Sequence, residues 1–280
     1  MSTNDPNEFW RNIKNLGPQK RKDIQIEIVD SLGSVIRVKH VVFERRRQDF
    51  QNLYNSQDDK DFDEDYYNRA KLHTHLQEMN ISVPLYEPNH TLNTNITVKE
   101  CAFFVIKAKL DSACGFERIP YDVLKYPVNI SVLQHLFQMI FDLSIILSIW
   151  RKSVICPIIK NSESDARVPI QYRGISLLSC ISKLYSSFLN KRLAEYLEGA
   201  NILADKHNGF RSKRSCEDHV FSPNSIIRNN KSVFMAFIDL KRCFDYIDRD
   251  MLLNKLLNNN IDGKMYNSIK KTYTLAPVRV

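Results

Sequence analysis

Glycine is scarce in this chain, with seven residues among 280. None of them belongs to a GxGxxG or GxxxxGK[ST] loop, the backbone arrangements that cradle dinucleotide and nucleotide phosphates. A Rossmann domain and a P-loop nucleotide site are therefore excluded. The six cysteines are scattered without a CxxC pair, so the sequence gives no sign of a zinc ribbon or a dense disulfide framework. Reduced thiols are the simpler interpretation.

Long apolar runs are also lacking. The first ten residues do not show the charged-then-apolar pattern of a signal peptide. The most apolar stretch, residues 136–150, is interrupted by Gln138 and Asp142, which disfavours a membrane span. We therefore expect an intracellular protein without a membrane partner.

Positive charge is plentiful, and it is concentrated in one stretch. The formal net charge is +8 and the pI is about 9.1. Between Arg151 and Arg192 there are eight basic residues against two acidic ones. Such clustering favours a polyanionic partner. A solvated basic face without a partner is the alternative.

Periodicity divides the chain into three segments. Residues 1–55 contain a strand-like run at 24–29 and a helical pattern around Arg46. Residues 56–96 begin with a tract rich in Asp, Lys and Glu, which predicts a polar linker. Residues 97–280 have regular apolar spacing and are predicted to form the main domain.

The main domain mixes helical and strand patterns, which indicates an α/β or an α+β fold. Helices are predicted near 97–109, from 132 to 141, over 176–198 and over 249–257, and a strand over 150–160. The run 233–238 is apolar throughout, as expected of a strand buried on both faces. It ends in Asp239. A carboxylate at the end of a buried strand is well placed to hold a divalent metal, although a helix cap explains most such aspartates.

The residues around Asp239 change that balance. The segment 237–245 reads FIDLKRCFD and resembles motif A of non-LTR (LINE-like) retrotransposon reverse transcriptases, D-x-x-x-A-F-D, with Cys243 in place of the commoner alanine. The resemblance implies that Asp239 is the catalytic metal ligand and that the backbone carbonyl of Leu240 also faces the metal. It implies further that Phe244 screens the sugar 2′-position.

Further blocks follow in the order of this family. Residues 150–160 resemble its fingers strand, and 171–179 (QYRGISLLS) resemble the motif before a long helix. They imply that Lys160 and Arg173 contact the phosphates of the incoming nucleotide, a role suited to fixed cations. Surface cations are the alternative at both positions.

Two blocks complete the resemblance. Residues 208–215 (NGFRSKRS) resemble the GFR-x-x-R-S block, in which Gly209 would make the turn. Arg211 and Arg214 would then be available to the template or primer backbone; structural ion pairs are the alternative. Gly115 with 119–125 resembles a looser upstream signature.

The resemblance implies a right-hand polymerase, with mostly helical fingers and part of a ferredoxin-like palm. Its complete active site uses two Mg²⁺ ions held by three aspartates, two of them from an F/Y-x-D-D hairpin. The only adjacent aspartates, Asp58 and Asp59, precede motif A, and the G-x-x-Q-G block is also missing. We therefore expect 1–55 to be a connector, 56–96 a linker, and 97–280 the fingers and an incomplete palm.

The predicted function is RNA-directed DNA polymerase, truncated and inactive by itself. RNA template, DNA primer and deoxynucleoside triphosphates are the implied partners, in the nucleus and cytoplasm. Pro223 interrupts a stretch that is helical in the family, which suggests decay of an old element copy. A non-catalytic nucleic-acid-binding remnant is the second hypothesis, and an unstable fragment the third.

Overall fold

The computed structural model describes residues 27–29, 33–55, 63–81, 91–110, 112–159, 165, 167–168, 171–230, 232–238 and 247–274. Contacts divide these residues into two compact units. The first contains the described residues up to 53 together with those in 156–175, and the second contains the described residues in 54–155 and from 176 onward.

The first unit combines short strands with one helix. Strands β1 (Ile28–Val29) and β2 (Val35–Ile36) pair antiparallel, and helix α1 (Lys39–Asn55) follows. The predicted helix around Arg46 is thus confirmed. Strand β3 (Val154–Ile159) pairs with β4 (Tyr172–Leu177) in a separate two-stranded sheet. The backbone N–H of Val29 donates to the carbonyl of Arg167 at 3.3 Å and joins the first strand to the β3–β4 connection.

Helices dominate the second unit. Those before β3 are α2 (Glu64–Ile81), α3 (Val98–Lys107), α4 (Tyr121–Leu124) and α5 (Pro127–Leu143). Those after β4 are α6 (Cys180–Gly199), α7 (Cys216–Asn229), α8 (Arg249–Asn258) and α9 (Gly263–Thr274). The helices predicted near 97–109, 132–141 and 249–257 are confirmed. The helix predicted over 176–198 is also present, but it begins at Cys180, because residues 176 and 177 belong to β4. Strand β3 confirms the core of the one predicted over 150–160.

The core of the second unit is built around aromatic rings from α5 and α6. Tyr185 lies 5.3 Å from Phe137 and 5.6 Å from Trp150, measured between ring centroids. Phe141 meets Phe188 edge to face at 5.8 Å. Aromatic pairs at these distances add to the stabilisation from apolar burial. The apolar stripe read from α6 is therefore core.

Helix starts follow the capping residues in the sequence. Thr97 and Glu100 form a reciprocal capping box at the start of α3. Asp248 precedes α8, and its Oδ1 accepts a hydrogen bond from the Met251 N–H at 2.8 Å. Each cap satisfies backbone donors that have no partner inside the helix.

Helix α2 lies within the segment that the sequence suggested to be a polar linker. It makes polar contacts with α8: the Tyr67 hydroxyl donates to Asp250 at 2.8 Å, and Asn254 donates to the carbonyl of Ala70 at 3.0 Å. The hydrogen bond to Asp250 raises the pKa of Tyr67 to about 12. A helix held by polar contacts has little apolar periodicity, and this explains why the pattern did not reveal it.

The strand predicted over 233–238 is not present. The structure describes 232–238 without a regular element, and Phe234, Phe237 and Ile238 are 99%, 88% and 87% exposed. Burial on both faces requires neighbouring strands and covering elements. In the described part of the chain none pairs with this run.

Helix α7 also departs from expectation. Pro223 lies inside it, and the helix nevertheless extends from Cys216 to Asn229.

Among the helices that the structure describes, none is long and apolar enough to cross a membrane.

Candidate functional site

Four residues that carry the proposed chemistry lie outside the described residues: Lys160, Asp239, Leu240 and Phe244. Their roles remain predictions. Arg173, Arg211 and Arg214 are described, and the structure gives each a distinct setting.

Arg173 is displayed on the exposed side of β4. Its neighbour Tyr172 is buried, as the alternation of a strand dictates. Arg173 is exposed and forms no ion pair with any described residue. Its guanidinium is therefore accessible to an anion, consistent with the predicted phosphate contact.

The buried residue Tyr172 of β4 makes a contact with helix α1 that the sequence did not reveal. The guanidinium carbon of Arg46, on α1, lies 4.7 Å from the centroid of the Tyr172 ring. Arg46 is itself buried. This cation–π contact connects α1 to the motif that carries Arg173. The only sequence signal was a run of three arginines on a predicted helix, which did not indicate their partner.

Arg211 has a structural role. Its guanidinium donates to both carboxylate oxygens of Glu198, at 2.8 and 2.7 Å, and to the carbonyls of Ala204 and His207, at 2.9 and 3.0 Å. The hydrogen bonds from Arg211 to Glu198 lower the pKa of that carboxyl group. The N–H groups of Arg211 thus bind the end of α6 and the segment after it, so the structural ion pair describes Arg211 better than a nucleic-acid contact does.

Gly209 lies in a turn, as predicted. Phe210 and Lys213, which follow it, have left-handed backbone, at φ values of 60° and 62°. A left-handed backbone costs energy for residues that have a Cβ.

Arg214 lies in a more open setting. It forms an ion pair with Asp205, whose side chain is largely exposed. Both residues line an open cavity of about 740 Å³ beside α7, together with His219, Phe221 and Phe234. An exposed ion pair of this kind is weak, so Arg214 remains available to an anionic partner.

The basic stretch between Arg151 and Arg192 contains residues of different roles. Arg192 is 7% exposed and pairs with Glu100. Arg167 forms a bidentate pair with Asp165. The stretch is thus partly structural, and the charge count overstated its accessible positive charge. Arg192 shares the helical face of Phe188 and Leu189, which was the sequence signal for its burial.

Gly115, in the looser upstream block, makes a close approach. A Cβ at this position would lie 2.4 Å from the backbone nitrogen of Ser179 and 2.5 Å from the carbonyl carbon of Leu178. Only glycine fits against this backbone. The block before α4 therefore packs directly on the segment that leads into α6.

No metal cluster occurs among the residues that the structure describes, where a cluster means three or more His, Cys, Asp or Glu side chains in a suitable arrangement. Asp239 is not among them. The oxygen donors proposed there, one carboxylate and one backbone carbonyl, are of the kind that Mg²⁺ prefers.

Comparison with known proteins agrees with the motifs. Residues 158–279 match the family described as reverse transcriptase (RNA-dependent DNA polymerase). A curated Drosophila melanogaster protein, "Probable RNA-directed DNA polymerase from transposon BS", is 28% identical over 190 residues. That alignment covers 64% of this chain and 20% of the fly protein.

These similarities confirm the resemblance drawn from the motifs. Residues 158–279 are similar to reverse transcriptase sequence, and the wider chain is similar to an RNA-directed DNA polymerase from a transposon. It spans about a fifth of the length of the curated relative that it matches. Divalent metal ions are generally used by this family.

Proposed function

We propose that this chain carries the fingers and the first part of the palm of a right-hand RNA-directed DNA polymerase from a non-LTR retrotransposon. The family match over 158–279 supports this proposal, because it includes both Arg173 and Asp239. The main structural support is that Arg173 is exposed on β4, whereas the neighbouring Tyr172 is buried on the other side of the strand.

In this proposal two cations bind the triphosphate of the incoming nucleotide. Arg173 offers a planar guanidinium that can form paired hydrogen bonds to phosphate oxygens, and Lys160 supplies a point charge. Phe244 excludes a 2′-hydroxyl from the sugar pocket by steric contact. Arg214 contacts the backbone of template or primer, whereas Arg211 holds the turn that presents it.

Asp239 and the backbone carbonyl of Leu240 would hold Mg²⁺. When bound, the metal neutralises negative charge on the triphosphate and on the attacking oxygen. Asp239 is one of the three aspartates that such a site uses, and an F/Y-x-D-D pair does not occur in the 280 residues. We therefore propose that this chain by itself binds nucleotide but does not incorporate it.

Nucleotide binding provides the direct test. Calorimetric titration of the 280-residue protein with dTTP in Mg²⁺ should give saturable binding. Loss of one charge-assisted contact in Arg173→Gln should weaken it by about tenfold. Arg228→Gln, which removes an exposed arginine from α7, should leave the affinity unchanged. Equal effects of the two substitutions would contradict the role of Arg173.

The non-catalytic alternative predicts a different result. A nucleic-acid-binding remnant would bind RNA or DNA in a salt-sensitive manner, and Asp239→Asn would change neither that binding nor its Mg²⁺ dependence. In the polymerase proposal, Asp239→Asn removes the Mg²⁺ dependence of dTTP binding. Extension of a primed RNA template by the 280-residue protein would overturn the statement that it is inactive alone.

A further inference from the structure

Four lysines lie on or beside helices α3, α4 and α6 of the second unit, and we group them as one surface because their ammonium groups contact α3, α4 and the connection between these two helices. We call this surface the four-lysine face; it consists of Lys107, Lys125, Lys183 and Lys191. The motifs assign no role to any of these lysines.

An exposed aromatic ring positions two of them. The ammonium of Lys107 lies 5.4 Å from the centroid of the Phe103 ring, and that of Lys191 lies 5.0 Å from it. Phe103 is 46% exposed, and its ring is fixed by an edge-to-face contact with Phe104 at 5.2 Å. These cation–π contacts therefore hold one charge from α3 and one from α6 at the same point of the surface.

The other two lysines are held by neutral groups as well. Lys125 donates to the carbonyl of Ile106 at 3.2 Å. Lys183 donates to the carbonyl of Ala113 at 3.2 Å, and its ammonium lies 5.7 Å from the Tyr121 ring. Carbonyls and rings orient an ammonium group without cancelling its charge. The positive potential of the face is therefore retained.

One carboxylate competes for this charge. Glu195 lies 3.6 Å from Lys191, and its side chain is 65% exposed. An exposed i,i+4 pair at this distance contributes about 0–1 kcal/mol. A phosphate group can replace it at little cost.

The spacing of the lysines fits an extended polyanion. Lys183 and Lys191 are eight positions apart on α6, about 12 Å along a helix axis that rises about 1.5 Å per residue. One phosphate cannot bridge that distance. A nucleic-acid strand carries a charge about every 3.4 Å, so different phosphates of one strand can contact Lys183 and Lys191. Phe103 and Ile106, the latter 66% exposed, offer apolar surface to unpaired bases.

We propose that the four-lysine face binds the phosphate backbone of single-stranded RNA, at a site separate from the residues proposed for nucleotide and metal. Lysine ammonium groups contact phosphates, and such contacts do not depend on base sequence. The site grips RNA wherever it is unpaired.

Fluorescence anisotropy with a labelled oligo-U of about 20 nucleotides tests this with the 280-residue protein. Lys107→Gln/Lys191→Gln should bind about tenfold more weakly, and the slope of log affinity against log salt should fall by about 1.4, which is roughly 0.7 for each lost phosphate contact. The matched control is Lys255→Gln/Lys271→Gln, which removes two exposed lysines from α8 and α9. This control should change the affinity by less than twofold.

A gain of affinity provides a second arm that misfolding cannot imitate. Glu195→Gln removes the competing carboxylate and should strengthen RNA binding several-fold. Titration of dTTP in Mg²⁺ should be unaffected by all of these substitutions, so failure of this site and failure of the proposed nucleotide site are distinguishable.

Three results would overturn the proposal. Equal losses in the two double variants would assign the binding to diffuse net charge. Unchanged binding in Lys107→Gln/Lys191→Gln would remove the face from RNA recognition. Displacement of RNA by poly-glutamate at equal charge concentration would instead identify the face as a site for an acidic protein.

Discussion

Arg192 donates hydrogen bonds to both carboxylate oxygens of Glu100, at 3.0 and 3.1 Å, from a position on α6 that is almost fully buried. The same guanidinium also donates to the carbonyls of Thr94 and Asn95, at 2.6 and 3.0 Å. One side chain thus joins α6, the start of α3 and the turn before it. Its charge and its hydrogen-bonding capacity are both used inside the second unit.

Replacing Arg192 should unfold much of this arrangement. Arg192→Met keeps most of the side-chain length but leaves Glu100 without its main partner, and breaking a buried pair in this way costs about 3–5 kcal/mol. Urea denaturation followed by circular dichroism measures the loss. Arg228→Met, at an exposed position on α7, is the control and should change the free energy of unfolding by less than about 0.5 kcal/mol.

The same pair makes stability depend on pH. Burial alone would raise the pKa of Glu100, but hydrogen bonds from Arg192 and Thr97 outweigh it, so the pKa is lowered from its ordinary value of 4.5. A carboxyl group with a lowered folded pKa contributes stability above its unfolded pKa, and that contribution is lost as pH falls through the folded value.

Wild-type protein should therefore be more stable than Glu100→Gln at pH 7, and the difference should shrink below pH 4.5. Thermal unfolding of both proteins from pH 7 to pH 3 measures this. Taking the difference between the two proteins cancels the contribution of other carboxylates. Parallel curves over the whole range would contradict the assignment to Glu100.

Local sequence patterns predicted the helices, but they did not predict the long-range contacts. Helix α6 could be predicted because its apolar residues repeat with helical periodicity over several turns. A polar start of α8 at Asp248 or Asp250 could be predicted because capping is local, and Asp248 is the cap. The pairing of Arg192 with Glu100 joins residues 92 positions apart. No local pattern specifies such a pair, and the sequence counted Arg192 only as part of a basic stretch.

Gly115 shows how a motif glycine acts through packing. Gly115→Ala would place a Cβ 2.4 Å from the backbone nitrogen of Ser179, and a backbone atom cannot move aside as a flexible side chain can. We expect a loss of about 1–3 kcal/mol or more in the free energy of unfolding. Gly199→Ala is the matched control, because nothing lies within 4 Å of its Cβ position. It should be neutral or slightly stabilising, since alanine favours the helix.

We expect substitutions of Arg211 to affect stability and substitutions of Arg214 to affect nucleic-acid binding. Arg211→Gln removes the ion pair with Glu198 and two carbonyl contacts, so it should lower the midpoint of thermal unfolding. Arg214→Gln removes an exposed pair with Asp205 and should leave that midpoint nearly unchanged. In filter binding with a primed template at low salt, Arg214→Gln should weaken affinity. A lower midpoint for Arg214→Gln than for Arg211→Gln would contradict this division.

The run 233–238 was the largest error of sequence interpretation in the fold. Its apolar composition correctly marks a segment suited to a strand, but a strand forms only where a second one supplies backbone partners. Composition is a local property, and the presence of a partner is not. For this reason a buried strand was predicted where the structure places exposed Phe234 and Phe237.

Substitution of these two phenylalanines tests whether their side chains contribute to stability. Because both side chains are exposed, Phe234→Ser/Phe237→Ser should change the free energy of unfolding by no more than about 0.5 kcal/mol. Removal of an exposed apolar patch should also reduce self-association at high concentration, measured by light scattering. Phe137→Ala, in the aromatic core, should by contrast cost about 3–5 kcal/mol. A double serine variant that unfolds as readily as Phe137→Ala would contradict the exposed positions of Phe234 and Phe237.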